Sequence, residues 1–124
     1  MRKVDLGDVA EQGASHDPTV AKRLPVAARQ VPGLTNLSQA RLRPGQQVGC
    51  HRHLDMWEVF LVEAGRGTVD GVDVDLVPGS CVVVETGQGH ELANTGEDDL
   101  VVTYFGVAPD RGRTEPSRKG LTRP

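Results

Sequence analysis

The chain has 124 residues, 37% of them hydrophobic and 25% charged, with a formal net charge of −3; that length holds one domain with a single core of moderate size. The acidic balance, with a pI near 5.7, excludes the basic stripe of a nucleic-acid binder, and no run reaches the length of a membrane span. The opening MRKVDLGDVA lacks a signal peptide's apolar core, so a soluble cytoplasmic protein is expected.

Residues 1–33 form an N-terminal extension. Val4, Asp5 and Leu6 read as an edge strand. Asp17 followed by Pro18 reads as a helix start, with a carboxylate cap and proline at the first helical position. The expected helix covers residues 18–24 and stops before Pro25. His16, just ahead of that cap, reads as a solvated loop residue.

From residue 34 the pattern changes to short strands separated by turn signals, the mark of an all-β sandwich or barrel, and it continues to residue 108. The first strand covers 34–42 and is closed by Pro44-Gly45. Strands over 48–53 and 57–63 flank a tight turn at Leu54-Asp55-Met56. Asp70-Gly71 is a two-residue hairpin signal between Thr68-Val69 and a strand over 72–76. In that strand Val72, Val74 and Leu76 alternate with Asp73 and Asp75; the aspartates lack the glycine and glutamate offsets of a calcium loop and read as a wet face. Pro78-Gly79 turns the chain into an apolar strand over 80–84 suited to a buried position. His90 starts another strand, and 100–107 supplies the last. The cysteines Cys50 and Cys81 are too few for a disulfide scaffold and are expected to be small buried hydrophobes.

Composition shifts after Ala108. Residues 109–124 carry five basic and two acidic side chains with one large aliphatic, Leu121. Such a segment cannot bury enough apolar surface to offset its ordering entropy, so a flexible basic tail is predicted.

The chemistry concentrates between Gly45 and Gly65. His51 and His53 are one residue apart, a spacing that puts both imidazoles on one side of a strand. After the turn, Glu58 on the next antiparallel strand returns to the same side. Two imidazoles and a carboxylate on one face form a site for a divalent first-row metal.

The spacing resembles the first motif of the cupin superfamily: Gly45, five residues, His51, one, His53, four, Glu58, six, Gly65. The second motif is matched by Gly79, Gly87, His90 and Asn94, while Glu85 stands where the family has proline. The resemblance implies a cupin-type double-stranded β-helix, or jelly-roll barrel, and one divalent transition metal held by His51, His53, Glu58 and His90. Iron, manganese, nickel, zinc, copper and cobalt all suit such a set. It also implies a homodimer, since extensions of small cupins commonly pack on a partner subunit.

Cupins include dioxygenases, decarboxylases, isomerases, lyases, cyclases and non-catalytic binders, so the fold alone decides little. The expected function is a small metal-dependent enzyme of dioxygenase or lyase/isomerase type acting on a small polar molecule; the alternative is a non-catalytic metal- or ligand-binding module. Gln39, Arg41, Phe60 and Tyr104 are the candidates for the substrate pocket.

Overall fold

The computed structural model describes residues 1–15, 17–51, 55–69 and 74–108, with the backbone alone at 49–51 and 74. Its strands in chain order are β1 (Gln12–Gly13), β2 (Ala21–Val26), β3 (Leu34–Leu42), β4 (Gln47–His51), β5 (Trp57–Ala64), β6 (Gly67–Val69), β7 (Val74–Leu76), β8 (Cys81–Val84), β9 (His90–Asn94) and β10 (Leu100–Val107). They form a six-stranded sheet in the order β1-β2-β3-β10-β5-β8 and a four-stranded sheet in the order β4-β9-β6-β7. Every pairing is antiparallel. This is the all-β cupin-type architecture expected, and no α-helix occurs among the described residues.

Alternation along the long strands decides what faces the core. Ser38, Ala40 and Leu42 of β3, Phe60 and Val62 of β5, and Leu100 and Val102 of β10 are all buried. All but Ser38 meet Leu76 of β7 and Leu92 of β9 from the smaller sheet in one apolar cluster. Each fully buried Leu or Val there contributes about 1.5–3 kcal/mol relative to exposure.

The motif glycines are turn residues. Gly45, Gly65, Gly79 and Gly87 all have positive φ, between 83° and 92°, a region that other residues enter at a cost. Gly65 has a second reason, because a Cβ there would run into the carbonyl oxygen of Asp99 and lie 2.8 Å from Leu100 Cα. Asn94, 3% exposed, donates through Nδ2 to the carbonyls of Leu42 and Asp98, both at 2.8 Å, and accepts from Gly96 N–H at 2.9 Å. Its motif position is therefore explained by knitting β3 to the turn before β10. Glu85 uses a group that proline lacks: its N–H donates to Gln88 Oε1 at 3.1 Å while its carbonyl accepts from Gln88 N–H at 3.0 Å. Reciprocal bonds hold this turn where the family's proline would restrict it through its ring.

Four expectations are corrected. Residues 21–24 of the helix predicted over 18–24 belong instead to β2, paired to β3. Asp17 instead organises a turn, accepting from the N–H and hydroxyl of Thr19 at 3.0 and 2.6 Å. Pro25 is tolerated because the β2–β3 register shifts between Arg23 and Val26, a bulge that needs no ladder donor. Val4 and Asp5 are not in a strand and Leu6–Asp8 is a 3₁₀ turn; β1 takes the edge instead. The apolar strand near 80–84 is β8, an edge strand with Val83 53% exposed. Cys81 is correspondingly an exposed free thiol and not a buried hydrophobe. The side chain of Cys50, the hairpin turn at 70–73, His16 and the tail lie outside the described residues.

Candidate functional site

β4 and β9 bring the two motifs together. Val48 pairs with Leu92 and His51 with His90, with a register shift between them, so the backbones of the two histidines oppose each other across the ladder. On the facing sheet, Glu58 opens the core-facing row of β5. It is 6% exposed, and His90 is 2% exposed. His90 Nε2 lies 3.2 Å from Glu58 Oε1, joining the second motif to the first between the two sheets. The His51 side chain and the whole of His53 lie outside the described residues.

This pair forms part of the wall of a cavity of about 240 Å³. Ala40, Leu42, Val48, Phe60, Leu92 and Val102 make most of that wall apolar, and Ser15, Thr35, Asn36, Met56 and Tyr104 supply the rest. Phe60 connects the two parts: its ring centroid is 5.5 Å from that of His90 and 5.2 Å from that of Tyr104, on which it stacks. Burial pushes the Tyr104 phenol above its ordinary value; the Ser38 hydrogen bond pulls it down and the charge of Glu58 adds to the rise.

Glu58 and His90 fit a metal. Two donors about 2.1 Å from one ion are about 3.0 Å apart in an octahedral arrangement and about 3.4 Å apart in a tetrahedral one. The observed 3.2 Å suits neighbouring positions on a single ion. A carboxylate and an imidazole, both buried beside an open cavity, are also the donor types that such ions take.

Of the four expected pocket residues, Phe60 and Tyr104 line the cavity. Gln39 and Arg41 do not. They alternate onto the outer face of β3, where Gln39 donates to Glu63 at 3.1 Å. Arg41 there pairs with Glu11 at 2.8 Å and Asp99 at 3.4 Å. Sequence reasoning missed Ser15, Thr35, Asn36 and Met56. Thr35 and Asn36 gave no readable signal, because both reach the cavity through a bulge where Gly106 and Val107 pair with Asn36 and Leu34. Gly106 makes room for this arrangement, since a Cβ there would strike Thr35 Oγ1 and come within 3.0 Å of Met56 Sδ.

The profile of the cupin domain family matches residues 38–106, more than half of the chain and nearly all of the two-sheet body. The chain belongs to the cupin family. It is 32% identical over 65 residues to an oxalate-binding protein of Thermotoga maritima, a match covering 51% of this chain and 54% of that one; it thus spans about half the length of this relative. Among solved structures, a predicted oxalate decarboxylase from Thermotoga maritima is similar with a TM-score of 0.80 at 21% identity, covering 87% of this chain and 100% of that chain. A sugar phosphate isomerase of a cupin superfamily from Silicibacter pomeroyi follows at 0.73 and 19%, covering 87% and 76%. At these identities the structural likeness shows the shared fold. No helix among the described residues is long and apolar enough to cross a membrane.

Proposed function

We propose that this cupin holds one divalent transition metal through His51, His53, Glu58 and His90 and uses it on a small, oxygen-bearing molecule in the adjoining cavity, as an enzyme of oxygenase or lyase/isomerase type. The observation that carries this reading is the buried Glu58–His90 pair, 3.2 Å apart on the cavity wall. When bound, the ion would supply Lewis-acid polarisation of a ligand oxygen or, if it is iron, dioxygen activation. The chain's own residues do the rest. Leu42, Val48, Leu92 and Val102 exclude water, Phe60 holds the His90 and Tyr104 rings in place, and Tyr104 offers a hydroxyl to the ligand.

A second reading, a non-catalytic binder of a small molecule, is favoured by the likeness to a relative named for binding oxalate. Elemental analysis of the purified protein followed by a dioxygen-uptake screen tests the proposal. Stoichiometric metal that vanishes in His90→Ala supports the site, and uptake on any substrate supports the enzyme. Protein that purifies without metal and takes up none when it is offered overturns the reading.

The proposed homodimer draws support from the outer face of the large sheet. Leu37, Phe105, Val59 and Val83 form one row across four strands, and Leu61 and Cys81 lie opposed in the next. Leu61, Val83 and Val107 are 44%, 53% and 43% exposed. A second copy bringing the same row would cover both faces at once.

A further inference from the structure

We infer that the cavity takes a small organic acid, one carboxylate of which is received at the mouth by Lys22 and Ser15 while its other oxygens sit at the buried Glu58–His90 side. The second contact rests on the metal-binding reading; the first does not depend on it. Both mouth residues come from a hairpin over residues 12–22, ahead of the family match at residues 38–106. Gln12 pairs with Lys22 and Gly13 with Ala21, and Ala14 N–H donates to the Val20 carbonyl at 2.9 Å. The hairpin is seated on the body. Val20 is 0% exposed within the apolar core, and Gln46 Nε2, from the turn between β3 and β4, donates to the Thr19 carbonyl at 3.1 Å. Ser15 is exposed and also lines the cavity, so it stands where the cavity meets water.

Lys22 stands on the inner side of the large sheet. It pairs directly with Ala40, a buried residue of the cavity wall, and residues directly opposite each other share a face. It is also two residues from Val20, which alternation puts on that same face. From there its Nζ donates to Ser15 Oγ at 3.5 Å. Lys22 is half-buried, and among the described residues no carboxylate pairs with it. Arg41, on the outer face, is by contrast held by Glu11 and Asp99. A lysine whose stem lies along an apolar wall and whose charged head reaches the rim is placed to receive an anion. Ser15, accepting from Lys22, keeps its hydroxyl proton for the same ligand. One positive charge and a neutral donor balance a single carboxylate, whereas a phosphate monoester brings nearly two charges. Between the mouth and the Glu58–His90 side, Ala40, Leu42 and Val102 offer an apolar wall to the ligand's carbon skeleton.

Calorimetry of metal-loaded protein compares two matched pairs, malate with 2-hydroxybutanoate and 2-hydroxyglutarate with 2-hydroxypentanoate. Within each pair the hydroxy-acid end is the same, and the far end is a carboxylate or a methyl. The native protein is expected to prefer the diacid of at least one pair by about fivefold or more, between the worth of an open ion pair and that of a charged hydrogen bond. Lys22→Met should abolish that preference without changing affinity for the monoacids or metal content, Lys22→Arg should keep it, and Ser15→Ala should reduce it less. A preference that survives Lys22→Met belongs to the metal and overturns the proposal. Equal affinities within both pairs, or binding of none of the four acids, overturn it too. A second readout needs neither a variant nor a metal. On the native protein, succinate should slow acetylation of Lys22 by acetic anhydride, read by mass spectrometry, relative to Lys3, whose side chain is 81% exposed; butyramide should not. No slowing overturns the proposal, and stronger protection by inorganic phosphate overturns the choice of a carboxylate. Protein that loads no metal sinks the metal reading and leaves the acetylation result to judge Lys22.

Discussion

The two faces of the six-stranded sheet are built from the same strands and do opposite things. On the inner face, Ser38, Ala40 and Leu42 of β3 lie beside Tyr104, Val102 and Leu100 of β10, and all but Tyr104 are buried. On the outer face, the next residues along the same strands, Leu37, Gln39 and Arg41, lie beside Phe105, Thr103 and Val101 and are only half-buried. Polar groups inside are few and tied to defined partners, as Ser38 is to Asn36. Polar groups outside pair with one another in water, as Arg41 does with Glu11 and Asp99 and as Glu63 does with Gln39 and Thr103. A polar side chain on the inner face must be satisfied by design of the fold, because an unpaired one costs free energy there. An outer one needs no partner, and so says little about function.

This contrast can be broken first at the inner carboxylate and imidazole. Replacing Glu58 or His90 by Ala is expected to cut metal content at least tenfold while circular dichroism stays native. Affinity for the metal should also fall in acid, since each histidine must be neutral to bind. Retention of metal by either variant would place the site elsewhere.

Matched apolar truncations on the two faces sharpen it. Leu42→Ala, at a side chain 1% exposed, is expected to cost about 2–5 kcal/mol in chemical denaturation. Leu61→Ala, at one 44% exposed, should stay within about 1 kcal/mol per protomer. Equal losses would mean that the outer face is as well covered as the core.

The outer face is next tested by charge. Leu61→Lys together with Val83→Lys is expected to shift light scattering from dimer to monomer, with the metal retained. A monomeric native protein at micromolar concentration would remove the dimer altogether. The smallest effect belongs to Arg41→Ala. Arg41 holds the Glu11 carboxyl below its ordinary value of 4.5, through its hydrogen bond first and its charge as well. A lowered folded pKa stabilises above the unfolded value and is lost as pH falls through the folded one. The variant should therefore lose marginal melting temperature at pH 7 and approach the native protein in acid, with metal content untouched, since exposed pairs contribute little.

What the sequence determined by itself was whatever local spacing encodes. Strand alternation and turn residues marked β3 to β10, and the glycines of the two motifs sat where positive φ is required. The spacing pointed to Glu58 beside His51 and His53, and the resemblance to the cupin motifs added His90, which stands 3.2 Å from Glu58. Only the tertiary structure decided what depends on a neighbour. Residues 21–26 became a strand because the β3 edge offered ladder bonds that outweigh a helix-start signal. Cys81 and Val83 came to the surface because β8 has a sheet neighbour on one side only, which its apolar run cannot reveal. The parity of β3 was hidden as well. With Leu34 and Leu37 at one end and Ala40 and Leu42 at the other, apolar residues fall on both phases, and Gln39 and Arg41 looked as inward as Ser38. It took pairing with β10, and the bulge at Thr35, to set Ser38 opposite Tyr104, bring Asn36 onto Ser38 and leave the arginine in water.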